Sequence, residues 1–531
     1  MNSVRVLDVT LRDGGCVIDF NFGQSYMDQI LDGLEQSGVD IIEVGYIDSK
    51  KGTISGRTQF CDEKVIKTHF LKNKKAGVTY VAMFDFGKFD PSALEPYDGS
   101  GIDGLRIAFH KKDRLNMIQT AKEVLNKGYK LFIQPMTIMR YSDEELLELI
   151  ETVNRELADA TAFYVVDSFG EMRMNDLNRV VYLVDHNLNS NIQMGFHSHN
   201  NLQLSYSNAV TLLQFFTNRD LIIDASVLGM GKGAGNLNTE LFLEHLNLYY
   251  KKSYKIAPLL EVIDKVVNTI RAEFYWGYSI EYYLSSVNHC TPSYAGHFYK
   301  KHMLKVEQVA ELLSLLAEEK KISFDKEYAE KLYLEYNARR HSDDDPTIKK
   351  LTEIINGKRV LLLAPGKRLS EGKDRINELL NDENVISISL NAFDKFDTDF
   401  VLTTRKDAFD SAISAQKSII ATSGICDNTK KNVFVIDYEK WITIENGVND
   451  SSGIVALKLM TACGACEIFL AGFDGFSIDI NKNYYDKTMR RPVTEEQAKE
   501  RNEYFSNFVK KLRTNIPVTY ITKSLYEEQN V

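Results

Sequence analysis

Short apolar runs rich in β-branched and aromatic residues recur along the first half of the chain, at residues 4–11, 40–47, 78–86, 102–110, 129–138, 162–167, 192–199 and 221–228. Their starts lie 24 to 38 residues apart, the length of a strand plus a returning helix and too long for hairpins. Stretches of helical period lie between them, such as 143–150, entered through the capping signal Ser142-x-x-Glu145. Eight such βα units in about 240 residues predict a TIM barrel. An open doubly wound sheet is the alternative, and the near-regular recurrence favours closure.

Residues 254–336 are mostly helical in pattern and rich in aromatics, with a loop-like interruption at 288–293. The run 342–346, Ser-Asp-Asp-Asp-Pro, is charged and free of apolar residues, which marks a linker. Alternation then resumes at 360–363, 385–390, 400–403, 418–421, 433–436, 468–471 and 518–521, the pattern of a smaller, doubly wound α/β domain. The expected organisation is a barrel at 1–253, a helical extension at 254–341 that completes the active site, a linker at 342–350 and a Rossmann-like α/β domain at 351–531.

Composition narrows the function classes. A chain of 531 residues, 44% apolar and 26% charged, is that of an ordinary folded protein of more than one domain. Its 74 acidic and 64 basic side chains give a net charge of -10, which speaks against a phosphate-backbone partner. No window approaches the 18 or more apolar residues of a membrane span, and charges fall early in the chain where a signal peptide is apolar, so a cytoplasmic protein is expected. The six cysteines are too sparse for a disulfide framework, and Cys463-x-x-Cys466 has no second pair to make a zinc site.

In a TIM barrel the chemistry stands at the C-terminal ends of the strands. Thr10-Leu-Arg-Asp-Gly-Gly15 follows the first run and Gly195-Phe-His-Ser-His-Asn-Asn201 ends the seventh. Two residues apart on a strand, His197 and His199 share a face about 7 Å apart along the backbone, and Asp13 supplies a carboxylate from across the mouth. Such a set suits a divalent ion, Mn²⁺ or Mg²⁺ foremost, with Co²⁺ or Zn²⁺ as alternatives. Its task would be to hold a substrate's carbonyl and carboxylate oxygens, with Arg12 adding a fixed cation. The glycine loop 229–236 after the eighth run offers anion-binding N–H groups, and Asn236 offers a neutral oxygen to the metal. Glu43, Asp85, Arg106, Gln134 and Asp167 end the second to sixth runs and are candidates for substrate contact.

Asp8-Val-Thr-Leu-Arg-Asp-Gly14, Asp167-Ser-x-Gly170 with Met174-Asn-Asp176, Gly195 to Asn201, and Asp224-Ala-Ser through Gly-Ala-Gly-Asn236 together resemble the DRE-TIM metallolyase superfamily, its 4-hydroxy-2-oxovalerate aldolase branch most of all. The resemblance covers about residues 4 to 300. It implies a metal-dependent aldolase acting on a pyruvate-type enolate and an aldehyde, with Asp13, His197 and His199 on the metal and Arg12 stabilising the enolate. It also implies a homo-oligomer or a partner enzyme that receives the aldehyde.

Two departures stand out. Cys16 occupies the position of a proton-transferring His in those aldolases, and Tyr278 or Tyr282 match the Tyr that the family brings from the following segment. Lys232 stands where relatives carry a small residue, which points to a substrate with a phosphate or an extra carboxylate.

The second domain opens with Val360-Leu-Leu-Leu-Ala-Pro-Gly-Lys-Arg368 and contains Leu470-Ala-Gly-Phe-Asp-Gly475. It is distantly similar to Rossmann-like domains of bacterial sialyltransferases and of proteins related to pterin diphosphokinases, which implies nucleotide or nucleotide-sugar binding at Gly366, Lys367 and Asp474. That fusion suggests a role in making an unusual sugar. The competing readings are a Claisen-type acyl transfer from acetyl-CoA, and a bifunctional protein whose C-terminal domain is a nucleotide-dependent transferase.

Overall fold

In the computed structural model of the chain, which describes residues 3–71, 74–215, 217, 219–299, 304, 306–338, 343–426, 432–445, 448–485, 489 and 493–528, all eight strands read in the first half form. They are β1 (Val4–Asp8), β2 (Ile41–Ile47), β3 (Thr79–Asp85), β4 (Gly104–Phe109), β5 (Lys130–Pro135), β6 (Ala162–Asp167), β7 (Gln193–Ser198) and β8 (Leu221–Ala225). Neighbours pair in parallel, and β1 pairs with both β8 and β2, Leu7 standing opposite Ile41. The sheet closes on itself as a TIM barrel, not an open doubly wound sheet.

Strand alternation splits the apolar residues into two buried sets. Leu7, Ile41, Val81, Phe132, Tyr164 and Ile222 fill the barrel interior. Val6, Ile42, Ile107 and Phe163 face outward to helix residues such as Ile30, Leu149 and Val180. Burial on both faces is why these strands read as continuous apolar runs. Each fully buried Leu, Ile, Val or Phe contributes about 1.5–3 kcal/mol.

Helices follow the strands as expected, and the predicted capping box forms: Glu145 N–H donates to Ser142 Oγ at 3.2 Å and Ser142 N–H to Glu145 Oε2 at 2.9 Å. The unit after β3 differs. Between β3 and β4 lies only the short turn Pro91–Ala93, with no α-helix, and this is the closest-spaced pair of the series. The first run, expected to stay extended to residue 11, ends at Asp8, because the N–H groups of Arg12 and Asp13 turn back onto the Val9 carbonyl at 3.1 and 2.8 Å.

The chain divides into two compact units, Met1–Gly296 with Leu316–Phe324, and His297–Leu315 with Asp325–Val531. The stretch 254–341, expected as one extension of the barrel, is therefore shared. Ala257–Val262, Asn268–Glu273 and Ile280–Val287 are helices of the barrel unit, while Val306–Ser314 and Lys326–Ala338 belong to the second. Helical period reveals an apolar face without revealing which core takes it. The expected linker is also shorter than read, since Asp345–Ile355 is a helix with Pro346 in its first turn, where a missing N–H costs nothing, and Leu351 and Ile355 are buried. Ser342 lies outside the described residues.

The second unit holds a seven-stranded parallel sheet: β9 (Arg359–Leu363), β10 (Val385–Leu390), β11 (Phe400–Thr403), β12 (Ile419–Thr422), β13 (Val433–Ile436), β14 (Glu467–Ala471) and β15 (Val518–Tyr520). Their spatial order is β13-β12-β11-β10-β9-β14-β15. It is a separate α/β domain, and each strand falls within one residue of its sequence reading. The small pair Ile444–Glu445 and Val448–Asn449 escaped that reading, being only two residues per strand.

Candidate metal centre and active site

Asp13, His197 and His199 converge at the C-terminal mouth of the barrel, buried, with one ligand atom from each within 4.8 Å of the others. Asp13 comes from the turn after β1 and His197 from the last residues of β7. His199 follows that strand and is bridged to Asn236 of the loop after β8. The two imidazoles stand 5.2 Å apart and nearly perpendicular.

Asp13 and His199 are in the protonation state that a metal requires. Burial pushes the His199 imidazole down to about 4, so it is neutral. Burial alone would raise Asp13, but the Arg12 guanidinium, His199 and His197 outweigh it and hold the carboxyl well below the usual range. Asn236 donates from Nδ2 to Asp13 Oδ2 at 2.6 Å, while its Oδ1 is buried without a hydrogen-bond partner. Gly231 makes the close approach of the loop feasible: a Cβ there would lie 2.2 Å from Asn236 Nδ2 and 2.5 Å from Asp13 Oδ2. A carboxylate and two imidazoles around one point, with the amide of Asn236 beside them, fit a divalent cation.

Beneath this cluster runs a buried ionic network. Arg12 donates from Nε to Glu43 Oε2 at 2.7 Å and from Nη1 to Asp13 Oδ1 at 2.8 Å. Its Nη2 is buried with no partner, in a residue only 8% exposed. Arg106 is fully buried, 3.0 Å from Glu43 through Nη1, hydrogen-bonded to Asp224, and 4.8 Å from the centre of the Tyr164 ring. Gln134, with its amide oxygen turned toward Arg106, accepts from Nε at 3.2 Å and Nη2 at 3.1 Å. Glu43, Arg106 and Gln134 thus lie under Arg12 and His197. Asp167 is likewise buried; its carboxylate accepts the N–H groups of Glu171 and Met172 at 3.0 and 3.1 Å and closes the loop after β6.

At the mouth, Cys16 is solvent-exposed and its Sγ lies 3.8 Å from the Arg12 carbonyl. The protein packed around its sulfur, and then the Asp13 charge, push the thiol up to about 12, so it is protonated at neutral pH. Lys232 is exposed at the tip of the glycine loop, with its backbone N 3.4 Å from Asp13 Oδ2. Tyr282 lies against the same loop, its ring 3.5 Å from where a Cβ on Gly233 would stand. Tyr278 is 52% exposed, and its carbonyl accepts from the Tyr275 hydroxyl. Of the two tyrosines, Tyr282 is the one seen beside the loop.

Asp224 carries more than its place in a motif suggests. Its Oδ2 accepts from Arg106 and stands 3.0 Å from His197 Nδ1, which leaves Nε2 of that imidazole for an ion. The available signal was a lone carboxylate inside the apolar strand Leu221–Ala225. Tyr46, whose phenol is pushed up by burial and by the charge of the half-buried Asp85, was also not foreseen.

Fold and site together define a lyase of the aldolase type, built on a TIM barrel with a cluster suited to a divalent metal. The HMGL-like family matches residues 107–266. The 4-hydroxy-2-oxovalerate aldolase of Pseudoalteromonas translucida (strain TAC 125) is 30% identical over 241 residues, 45% of this chain and 68% of that protein. The enzyme of the same name from Bacillus thuringiensis (strain Al Hakam) is 28% identical over 270 residues, 50% of this chain and 76% of that one. Among solved structures, the N-terminal domain of a Bacteroides vulgatus protein assigned as an aldolase is 25% identical, with a TM-score of 0.49, covering 56% of this chain and 96% of that domain. The chain belongs to the HMGL-like family, among the relatives named 4-hydroxy-2-oxovalerate aldolase. Among the described residues, no helix is long and apolar enough to cross a membrane.

Proposed function

We propose that the barrel is a divalent-metal-dependent aldolase that joins or splits a pyruvate unit and an aldehyde. The carrying observation is the unpartnered Nη2 of Arg12, a buried cationic donor held beside the Asp13–His197–His199 cluster. The names of the relatives support the same chemistry.

Asp13, His197 and His199 would hold Mn²⁺ or Mg²⁺, with the Asn236 amide oxygen available as a neutral fourth ligand. Such an ion supplies Lewis-acid polarisation of a 2-oxo acid's carbonyl. Arg12 Nη2 donates to the oxygen that gains negative charge as the methyl proton passes to water at the open mouth, and Glu43 holds the guanidinium in place. Cys16, protonated, takes the acid side of proton transfer at the aldehyde carbon's oxygen, where the relatives' His stands. Tyr282 shields that proton from the open mouth. Lys232 at the loop tip selects an aldehyde with a second anionic group, a phosphate or a carboxylate.

Incubating the protein with pyruvate in D₂O tests this reading. Methyl-proton exchange is expected with Mn²⁺ or Mg²⁺ and not after chelation; absence of exchange with every divalent ion tried would overturn it.

A further inference from the structure

In the second unit the chain runs outward from β9 through β10, β11, β12 and β13, then returns to the opposite side of β9 for β14 and β15. The reversal falls between β9 and β14. Parallel sheets bind ligands in the crevice at the carboxyl ends of the strands flanking such a reversal. The loops after these two strands meet tightly there: Gly366 N–H donates to the Gly472 carbonyl at 3.0 Å, and a Cβ on Gly366 would lie 2.1 Å from that oxygen.

At this point the unit holds a cleft of about 940 Å³, the upper end of the range for small-molecule sites and far more than a bare anion needs. Its floor carries Asp474, only 6% exposed. One carboxylate oxygen accepts the Arg368 N–H at 2.7 Å; the other, Oδ1, has no hydrogen-bond partner. An unpartnered acceptor at that depth calls for a donor from a ligand, an O–H or N–H group.

Another part of the lining has the complementary character. The helix Ser452–Ala462 starts at the cleft; the Ser451 hydroxyl caps the Ile454 N–H at 3.3 Å, which leaves the N–H groups of Ser452 and Gly453 with no partner within the helix. Its start is held in place by side chains: Asn391 Nδ2 donates to Ser452 Oγ at 2.9 Å, and Thr404 Oγ1 lies 2.9 Å from the same oxygen. Asn391 itself adopts a left-handed backbone, φ 61°, at the end of β10. Arg405 and Lys406 line the cleft, paired with Asp407, which also lines it, and with Asp410; Arg501 lines it with its guanidinium over the Phe476 ring. Lys367 does not line the cleft and is exposed, so the cations come from these three and not from the residue the loop pattern suggested.

We propose that this cleft is a nucleotide-binding site separate from the barrel chemistry, with phosphate at the start of helix Ser452–Ala462 and Asp474 accepting hydroxyl or amino hydrogens at the nucleoside end. One wall takes an anion, the floor takes a donor, and the volume holds both ends of such a molecule.

The test is calorimetric titration of the full chain with ATP, GTP, CTP and UTP, with ribose 5-phosphate and inorganic phosphate as parallel arms. Saturable binding of at least one nucleotide is expected, weakened tenfold or more by Asp474→Asn and by Arg501→Glu, and unchanged by Asp13→Asn in the barrel. Arg501→Glu, on a partly exposed side chain, keeps the test valid where Asp474→Asn fails to fold, and thermal melts report folding in each variant. Pyruvate exchange is expected to survive both second-domain substitutions. The proposal is overturned if no nucleotide binds below about 1 mM, if only inorganic phosphate binds, if affinity survives both substitutions, or if Asp13→Asn abolishes binding.

Discussion

Asp224 Oδ2 stands 3.0 Å from His197 Nδ1 and accepts from Arg106 with the same oxygen, so one carboxylate fixes both an imidazole of the metal cluster and the cation beneath it. Such an outer carboxylate sets which ring nitrogen is free and how the ring is turned. Asp224→Asn keeps the shape and removes the charge. Metal affinity is expected to fall roughly 10- to 100-fold, read by titrating Mn²⁺ into the chelator-treated protein. An unchanged affinity would show that His197 needs no support.

Arg12→Lys tests the free guanidinium donor. A lysine retains a charge but has no fork to serve Glu43, Asp13 and an incoming oxygen together. Pyruvate exchange is expected to slow by about 10²–10³-fold, while metal affinity falls far less. Equal losses in both would assign Arg12 to holding Asp13 alone.

Gly231→Ala tests the close approach of the loop. Its Cβ would sit 2.2 Å from Asn236 Nδ2, so the loop after β8 has to move away from Asp13. Metal binding and exchange are expected to fall together, with the melting temperature nearly unchanged because the clash lies in a loop and not in the barrel core. A variant with full metal affinity would refute the packing argument.

A pH effect on stability follows from Asp8 at the end of β1. Its carboxylate accepts the Thr10 N–H at 2.8 Å and the Thr239 hydroxyl at 2.6 Å, yet burial outweighs both and pushes it up to about 6. The folded state then binds this proton more tightly than the unfolded chain, whose Asp titrates near 3.9. The stability it gives is full below about pH 4, declines as pH rises, and is lost above about 6, an effect on the order of 3 kcal/mol. Asp8→Asn should flatten that part of the decline when denaturant midpoints are compared pH by pH. Parallel curves for the two proteins would sink the assignment.

Much of this was legible in the chain itself, for identifiable reasons. Strands buried on both faces write unbroken apolar runs, so the seven strands of the second sheet and the eight of the barrel could be placed closely. Arg12, Asp13, His197 and His199 stood out because titratable side chains at the carboxyl ends of barrel strands gather at the mouth. Glu43 and Arg106 were also visible, but the sequence does not distinguish a side chain at the mouth from one beneath it; that depends on ion pairs across four strands. Asp224 stood in a motif, but its role was hidden because its partners are 27 and 118 residues away. The sharing of helices within 254–341 was hidden for a different reason: amphipathic period is the same whichever core receives it.

The network under the mouth has a consequence in formal charge. Leaving the imidazoles aside, Arg12 and Arg106 face Asp13, Glu43 and Asp224, two cations against three anions. Alone, the cluster is electronegative and repels a carboxylate. A divalent cation would turn the sum to a single positive charge, and the carboxylate of the proposed 2-oxo acid would then bring it to zero. On the proposed reading, charge alone would set an order of binding, with the ion admitting the acid.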